Sequence, residues 1–484
     1  MLQHEVSRVN FAFSMRYQII NTIIVVLLGA VLTWIGWYLT EKIVQVPYMD
    51  EIFHVPQAIA YGQGRFEHWD SKLTTPPGLY LFSLPFLKSG IASDLLILRW
   101  VNVFFGLSTF LTVASIIAKQ ERMFSKHTTT IITTTTTTIW SALNVLLFPV
   151  SFFFMFLYYT DSGSTFFVLL AYRMALNGAT GWTLLASLAA ILFRQTNAIW
   201  MLFNAGVCLI MNLSRGDERR QDLLVSVKQS SNSISVISSF IACCCLEKPF
   251  VTLKTIVPFA LVLAGCFVYV RVFNDGSIVF GDKSNHISAL NIPQLYYFVS
   301  FCVFFLSPWL LLHGSLVIKR LSVVKWILAL PWMVLSVHHY TWEHPFLLSD
   351  NRHFTFYIWR WIFRRHWAVR YAIVPLYAFF GAVLERTVKI SCDVPLLFVA
   401  GLAVCSILAL VPSPLLEFRY FIVPFILLRL LLGLLRARNL RATYTSLFLE
   451  TIFFSAINVF VLYTFAYKPF KWPNEPDALQ RFMW

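Results

Sequence analysis

Charged residues are scarce in this chain. They make up 13% of its 484 residues, whereas soluble proteins usually carry about 25%. Hydrophobic residues reach 58% and include 46 phenylalanines. The composition excludes an ordinary soluble enzyme. It predicts an all-α polytopic membrane protein, because helices satisfy their own backbone hydrogen bonds in lipid.

Cysteine is also sparse, and its pattern lacks the spacing of a disulfide framework or of a metal site. The eight cysteines include no C-x-x-C pair and no regular Cys/His spacing. Four lie in or beside apolar stretches, and Cys243–Cys245 form a run in a polar loop. We expect them to be small hydrophobic residues near the membrane, and we expect neither a metal nor a cofactor.

The net charge of +15 is spread over short basic clusters between hydrophobic stretches. This placement is typical of cytosolic loops under the positive-inside rule and does not indicate a nucleic-acid partner. Anionic lipid headgroups are the expected partner of these loops. The clusters are KQERMFSK (119–126), SRGDERR (214–220), KRLSVVK (319–325), ERTVK (385–389) and RARNLR (436–441).

Repeated apolar stretches predict 11–14 transmembrane helices within a single domain, 1–484. The first, from about residue 17 to 40, is too long for a signal peptide and is expected to be an uncleaved span with its N-terminus in the cytosol. Residues 213–253 are expected to form a cytosolic loop. Further spans are expected at about 95–118, 128–148, 164–178, 182–194, 197–212, 254–273, 295–318, 324–338, 367–386, 393–411, 421–435 and 446–466.

Polar segments from distant parts of the sequence then fall on the opposite, luminal side. We expect them to assemble one active site from luminal loops, the first of which spans residues 41–94. One segment does not fit, because RWIFRRHWAVR (360–370) is basic although it follows a polar motif. Either it returns to the cytosol, or its arginines serve an anionic substrate. The polar segments are 47–80, 158–164, 193–197, 274–286, 344–359 and 412–420.

The first luminal loop contains an acidic motif directly after the first span. His54 follows Asp50 by four residues and Glu51 by three, so the three side chains share one helical face. A carboxylate and an imidazole placed in this way can relay a proton. The alternative is a solvated acidic first turn that the helix dipole favours.

Other candidates lie at the ends of apolar stretches. Asp161 is either a helix cap or a second acid, and Arg194 either snorkels to the interface or binds substrate. Arg352 and His353 can donate to a phosphate, and Arg419 forms with Glu417 either a structural ion pair or a phosphate clamp. Trp69 offers a ring for stacking on a sugar, although most aromatic residues here fit an interfacial belt.

Carboxylates together with cationic donors suit transfer of a sugar from a lipid phosphate. The carboxylate accepts a proton from a sugar hydroxyl, and the cations stabilise the departing phosphate. A transporter of lipid-linked sugars remains an alternative, although no clear internal repeat is present and the acids lie at span ends. A purely structural membrane protein explains none of the polar clustering.

Eight motifs in order resemble the endoplasmic-reticulum α-1,2-glucosyltransferases that use dolichyl-phosphate glucose. The resemblance runs from about residue 47 to 484. The motifs are PYMDEIFHVPQA, WDSKLTTPPGLY, FLYYTD, RQTN, GDKSNH, HPFLLSDNRHFTFYIW, PLLEFRY and RFMW.

The resemblance implies a GT-C-type, metal-independent, inverting glycosyltransferase in the endoplasmic-reticulum membrane with a luminal active site. Its expected substrates are dolichyl-phosphate glucose and a dolichyl-diphosphate-linked oligosaccharide that carries two glucoses. A mannose donor, or an earlier glucose step, is the nearest alternative.

The family motifs also assign roles to residues of this chain. Asp50 and Glu51 match the acidic pair, with Asp50 the first choice as general base. Segment 341–366 is expected to bind the donor, through His344, Asp350, Arg352 and His353.

Overall fold

The protein is a bundle of helices of very different lengths. The computed structural model describes residues 22–124, 131–215, 223–225, 227, 233–281, 283, 288–319, 321–391, 394–432 and 440–484. The helices of the first half are Thr22–Ile43, Glu51–Gly62, Gly78–Leu87, Asp94–Phe124, Ile131–Leu146, Pro149–Phe154, Thr160–Ala175, Thr180–Phe193, Asn197–Leu213 and Ser233–Ala242, the last continued by the π-helical turn Cys243–Glu247. The prediction of an all-α fold is confirmed.

The second half continues the helical pattern and ends in a small hairpin. Its helices are Pro249–Val268 with the π-turn Tyr269–Phe273, Pro293–Phe305, Ser307–Ile318, Val324–Tyr340, Pro345–Ser349, Phe354–Ile358 with the π-turn Trp359–Phe363, Val369–Ala372, Val374–Ser391, Leu396–Leu410, the 3₁₀ turn Phe418–Phe421, Ile422–Leu431 and Leu440–Tyr467. Strands Phe470–Trp472 and Glu475–Gln480 pair antiparallel.

Four described helices are long and apolar enough to cross a membrane: Thr22–Ile43, Asp94–Phe124, Pro249–Phe273 and Arg441–Tyr467. Five shorter apolar helices of 10–17 residues accompany them. The polytopic membrane character is therefore clear. The expected 11–14 spans exceed the four to five that length and composition identify within the described residues, so this number stays a prediction.

The predicted spans coincide with helices, but two of them are divided. The stretch 295–318 is broken by a 94° bend between Phe305 and Ser307. Pro308 explains the break, because proline lacks an N–H and its ring clashes with the carbonyl of the preceding turn. The predicted span 367–386 also divides, into a short helix and one that begins at Val374. The predicted span 128–148 is helical from Ile131 to Leu146, and its residues 128–130 lie outside the described residues.

The predicted cytosolic loop 213–253 is only partly visible, because residues 216–222, 226 and 228–232 lie outside the described residues. Its second half forms the helix Ser233–Ala242.

The hydrophobic core packs largely through phenylalanine rings. Phe148, for example, stacks on Phe425 at 4.6 Å between centroids and meets Phe305 edge-on at 5.1 Å.

Two antiparallel helices fix which end of the bundle the segment 341–373 occupies. Near one end of the pair, Lys325 of Val324–Tyr340 pairs with Glu385 of Val374–Ser391. At the other end, Nδ1 of His338 lies 2.8 Å from the hydroxyl of Tyr371. The intervening segment 341–373 therefore remains at this second end.

Candidate active site

Asp50 stands where the first long helix has ended and the helix Glu51–Gly62 begins. Met49 just before it has φ of 55°, a left-handed conformation that non-glycine residues adopt rarely and mostly at functional sites. The backbone N–H of Asp50 donates to the Tyr159 hydroxyl at 3.1 Å. This tight turn presents the Asp50 side chain, which is 41% exposed.

Arg419 joins Asp50 to a second carboxylate. Its Nη1 lies 3.1 Å from Oδ2 of Asp50, while its Nε and Nη2 donate to the carboxylate of Glu417. The guanidinium also lies 5.8 Å from the centre of the Tyr159 ring. Sequence reasoning left an ion pair or a phosphate clamp open for Arg419. The structure has the ion pair, together with a direct contact to Asp50.

The charge of Arg419 controls both carboxylates. Burial on its own would raise the pKa of Asp50, but the Arg419 guanidinium outweighs it and holds that pKa below its usual value. Glu417 behaves in the same way. Burial raises its pKa, but the effect of Arg419 is larger, so the pKa of Glu417 is lower than usual. Both carboxylates are therefore ionised at neutral pH.

Glu51 has a different environment from Asp50. It is fully buried and forms a two-pronged ion pair with Arg99, at 2.9 Å from Nε and 2.6 Å from Nη2. The backbone N–H groups of Tyr48 and Tyr158 donate to the same carboxylate at 3.0 and 2.6 Å. Glu51 therefore ties the first loop to two other elements, and a substrate hydroxyl has no open side from which to reach it.

His54 and Trp69 lie behind the acidic turn. Nδ1 of His54 is 2.6 Å from the Tyr80 hydroxyl, and burial lowers the pKa of the imidazole against the raising effect of Asp50. The Trp69 ring packs edge-on against Tyr80 at 6.1 Å and lies 6.4 Å from Phe280. Phe280 leads into the GDKSNH motif, of which residues 282 and 284–286 lie outside the described residues.

Asp161 and Arg194 form a second ion pair beside the first. Asp161 opens the helix Thr160–Ala175, and its Oδ1 accepts from Nη1 of Arg194. Its Oδ2 is buried and has no hydrogen-bond partner among the described residues. The Arg194 guanidinium lies 5.6 Å from the ring centre of Tyr420, next to Arg419 in the chain. Most buried polar atoms have a hydrogen-bond partner, so the unpaired oxygen marks Asp161 as a candidate for a role beyond this ion pair.

The segment 341–366 supplies cationic side chains. His344 caps the helix Pro345–Ser349 by accepting from the N–H of Phe346 at 3.1 Å, so its Nδ1 is engaged within the protein. Arg352 grips Asp350 with bonds of 2.8 Å (Nε to Oδ1) and 2.7 Å (Nη2 to Oδ2). Its guanidinium also stacks 4.7 Å above the Trp472 ring. Asp350 thus holds the guanidinium of Arg352 in place, and the Arg352 side chain is 20% exposed.

His353 belongs to the same segment and contributes to lowering the pKa of both Asp50 and Glu417. Its Nδ1 lies 2.8 Å from the backbone oxygen of Trp484. That oxygen can only accept, so Nδ1 carries the hydrogen. Nε2 lies 3.9 Å from Oδ2 of Asp350.

Residues 480–484 are a part of the site whose role sequence reasoning missed. Met483 forms a parallel bridge with His353, through bonds of 2.9 Å to the Arg352 carbonyl and 3.1 Å from the Phe354 N–H. Tyr48 holds the backbone of Arg481 through two 2.8 Å bonds. The motif RFMW was visible in the sequence, but its docking beside residue 353 depends on the tertiary fold.

Arg99 was also missed, although a signal existed. An arginine inside the apolar helix Asp94–Phe124 is costly unless it is paired, and it therefore calls for a partner.

Within the described residues, no three or more His, Cys, Asp or Glu side chains are arranged to hold a metal ion. Metal independence stays a prediction. The site as described offers one accessible carboxylate, Asp50, between a shared arginine and a histidine.

Comparison with known proteins supports the resemblance noted in the motifs. A mouse protein named Dol-P-Glc:Glc(2)Man(9)GlcNAc(2)-PP-Dol alpha-1,2-glucosyltransferase is 35% identical, covering 92% of this chain and 94% of the mouse protein. A human protein of the same name is 33% identical with the same coverage. An Arabidopsis thaliana protein of that name is 32% identical and covers 92% of this chain and 96% of its own length.

No solved structure matches the chain. Residues 44–430 match the DIE2/ALG10 family, and this range includes every predicted site residue. The expected family is thereby confirmed: the chain belongs to the DIE2/ALG10 family.

Proposed function

We propose that the protein transfers glucose from dolichyl-phosphate glucose to the 2-hydroxyl of the terminal glucose of Glc2Man9GlcNAc2-PP-dolichol. This is the reaction stated in the names of its relatives. The enzyme works in the endoplasmic-reticulum membrane, with Asp50 and the cationic segment 341–366 facing the lumen. The reaction is metal-independent and inverts the configuration at the transferred sugar.

Asp50 carries this proposal. Glu51 and Asp161 are buried, and the Glu417 side chain is only 16% exposed, but Asp50 is 41% exposed and ionised. A general base must reach the proton that it removes, and Asp50 can. Glu51 then serves as a positioning residue that fixes the loop in which Asp50 stands.

The chemical step is one displacement. The acceptor 2-hydroxyl attacks C1 of the glucose on the face opposite the phosphate, and Asp50 takes its proton. The new oxygen–C1 bond forms as the C1–oxygen bond to phosphate breaks, and dolichyl phosphate leaves with the electron pair. Cationic donors stabilise the charge that grows on this phosphate.

Arg419 couples donor binding to the base. Through its contact with Asp50 it lowers the pKa of this carboxylate and thereby weakens its basicity. A donor phosphate that draws the guanidinium toward itself removes this charge from Asp50, so the carboxylate becomes a stronger base when a donor is present. His353 and Arg352 are the further phosphate donors, and Asp161 with Arg194 contacts sugar hydroxyls.

A transfer assay with purified protein tests the proposal. The donor is dolichyl-phosphate glucose, the acceptor carries two glucoses, and a chelator is present. The expected product carries three glucoses with wild type and is absent with Asp50→Asn. Product only with a mannose donor would overturn the sugar assignment, and no product with either donor would favour a transporter.

A further inference from the structure

The arginines of segment 360–370 lie at the active-site end of the bundle. The segment follows His353 directly and is confined to this end by the antiparallel helices around it, with Tyr371 bonded to His338. The Trp359 indole N–H also donates to Glu343 at 2.6 Å. Of the two alternatives left by the sequence, this position favours arginines that serve an anionic substrate. Four arginines stand where the positive-inside rule does not explain them.

These residues form an exposed surface, here called the basic belt: Arg360, Arg364, Arg365 and Arg370. The first three are exposed, and Arg364 is the only member with an acidic neighbour among the described residues, Glu343 at 3.7 Å. Nε of Arg370 is shielded from solvent and has no hydrogen-bond partner among the described residues. The belt therefore carries unneutralised positive charge.

Aromatic rings fix the belt at the depth of the lipid headgroups. The neighbouring Trp361 and Trp367 are 65% and 70% exposed, as is typical of indoles at a membrane interface. Arg360 lies 5.7 Å from the Phe356 ring centre and Arg370 lies 4.9 Å from that of Tyr371. Two guanidiniums are thus held against rings, and a guanidinium held in this way can still donate to the oxygens of a phosphate.

The belt is too far from the reacting centre to hold the donor phosphate. Residues 354–363 are helical, and at about 1.5 Å per residue Arg360 and Arg364 lie roughly 10 and 16 Å along the chain axis from His353. The phosphate that leaves must be within hydrogen-bond reach of the donors at the site. The belt therefore fits a different phosphate group.

We propose that the basic belt binds the diphosphate of the acceptor lipid, an inference that rests on the proposed function. The acceptor reacts at the sugar farthest from its diphosphate, so that group must lie at the membrane surface outside the catalytic centre. Its dolichyl tail places it at headgroup depth, where the belt lies. Arginine forks match phosphate oxygens in bidentate fashion, and the belt offers several within eleven residues.

A kinetic comparison tests this assignment. The triple variant Arg360→Gln, Arg364→Gln, Arg365→Gln is expected to raise KM for the lipid-linked acceptor about tenfold, since it loses charge-assisted hydrogen bonds. Its kcat and its KM for the donor are expected to stay unchanged. The same oligosaccharide released from its lipid diphosphate should react equally well with wild type and variant. The corresponding Arg→Lys variant keeps the charge and should recover part of the affinity.

The matched control removes three positive charges at the other end of the bundle, with Lys319→Gln, Lys325→Gln, Lys389→Gln, and should leave acceptor KM unchanged. An unchanged acceptor KM in the arginine variant, or an equal loss with the lipid-free oligosaccharide, would overturn the proposal. So would an effect that follows the phosphatidylinositol content of the nanodiscs, which would assign the belt to bulk lipid.

Direct binding separates this proposal from the proposed function. Radiolabelled lipid-linked acceptor is bound to Asp50→Asn protein in neutral nanodiscs, with and without the three arginine changes. Weaker binding only with the belt variant supports the diphosphate site whether or not transfer is observed, and equal binding overturns it. Failure of wild type to transfer glucose in the assay above counts against the proposed function alone.

Discussion

Nη1 of Arg419 lies 3.1 Å from Oδ2 of Asp50, although 369 residues separate them in the chain. The same guanidinium is bound to Glu417. One arginine is therefore shared between the proposed base and a permanent partner, and it is available to a donor phosphate. In the proposed mechanism, a donor phosphate that draws this guanidinium away makes Asp50 a stronger base.

The first prediction concerns Asp50 itself. Asp50→Asn is expected to lower transfer by about 100- to 10,000-fold, the usual effect of losing a general base, while protein yield and Tm stay near wild type because the side chain is half-exposed. Initial rates at saturating donor measure this. Asp94→Asn, an exposed acid at the start of the next long helix, is the matched control. Full activity of Asp50→Asn combined with loss in Asp161→Asn would transfer the role to Asp161.

The second prediction separates Glu51 from Asp50. Glu51→Gln leaves Arg99 as a buried charge without its partner, which costs about 3–5 kcal/mol. Lower yield and a lower Tm in detergent are the expected outcome, with specific activity per folded molecule reduced much less than in Asp50→Asn. Normal stability together with lost catalysis would instead place Glu51 among the catalytic residues.

The third prediction concerns pH. Arg419 keeps the pKa of Asp50 below its usual value, so Asp50 stays ionised. The value of kcat/KM for the donor, which reports the enzyme before the donor binds, therefore holds as pH falls until it passes through this lowered pKa. Arg419→Gln removes the charge and is expected to move the acid limb of the kcat/KM profile to higher pH. Arg352→Gln, which leaves Asp350 rather than Asp50 without its arginine, should shift the limb far less. An identical limb in Arg419→Gln and wild type would refute the coupling.

The fourth prediction tests the docking of residues 480–484. Tyr48→Phe leaves the buried N–H and carbonyl of Arg481 without their shared partner, which costs about 1–3 kcal/mol. A lower Tm and a lower kcat are expected, because His353 is held by the same segment. Tyr38→Phe is the control, since the Tyr38 hydroxyl bonds to Tyr467 at an exposed position. Equal effects of the two changes would show that the Arg481 contact has no special role.

The sequence predicts the helices better than it predicts their breaks. Apolar stretches and their length determine where helices lie, whereas the bend before Pro308 depends on one residue within an apolar run. The acidic turn at Asp50 was predicted from spacing and from family motifs. That spacing treated Asp50 and Glu51 as equivalent, and only tertiary contacts distinguish the accessible carboxylate from the one enclosed by Arg99 and two backbone N–H groups.

The features of the site that could not be predicted from the sequence depend on contacts between residues far apart in the chain. The contact of Asp50 with Arg419, and that of Tyr48 with Arg481, join positions hundreds of residues apart, and no local pattern encodes such partners. The segment 341–366 was predicted to bind the donor, and this stays a prediction. Its division into a cap at His344, an anchored Arg352 and a histidine next to the acids required the structure.

Tyr48 and Arg481 also set the earliest moment at which the site can be complete. The two residues are 433 positions apart, and synthesis at 5–20 residues per second takes roughly 20–90 s to cover that distance. Throughout this interval the acidic turn is already in the membrane without the segment that holds His353. A partly made chain would therefore not consume lipid-linked glucose before the rest of the protein has been synthesised.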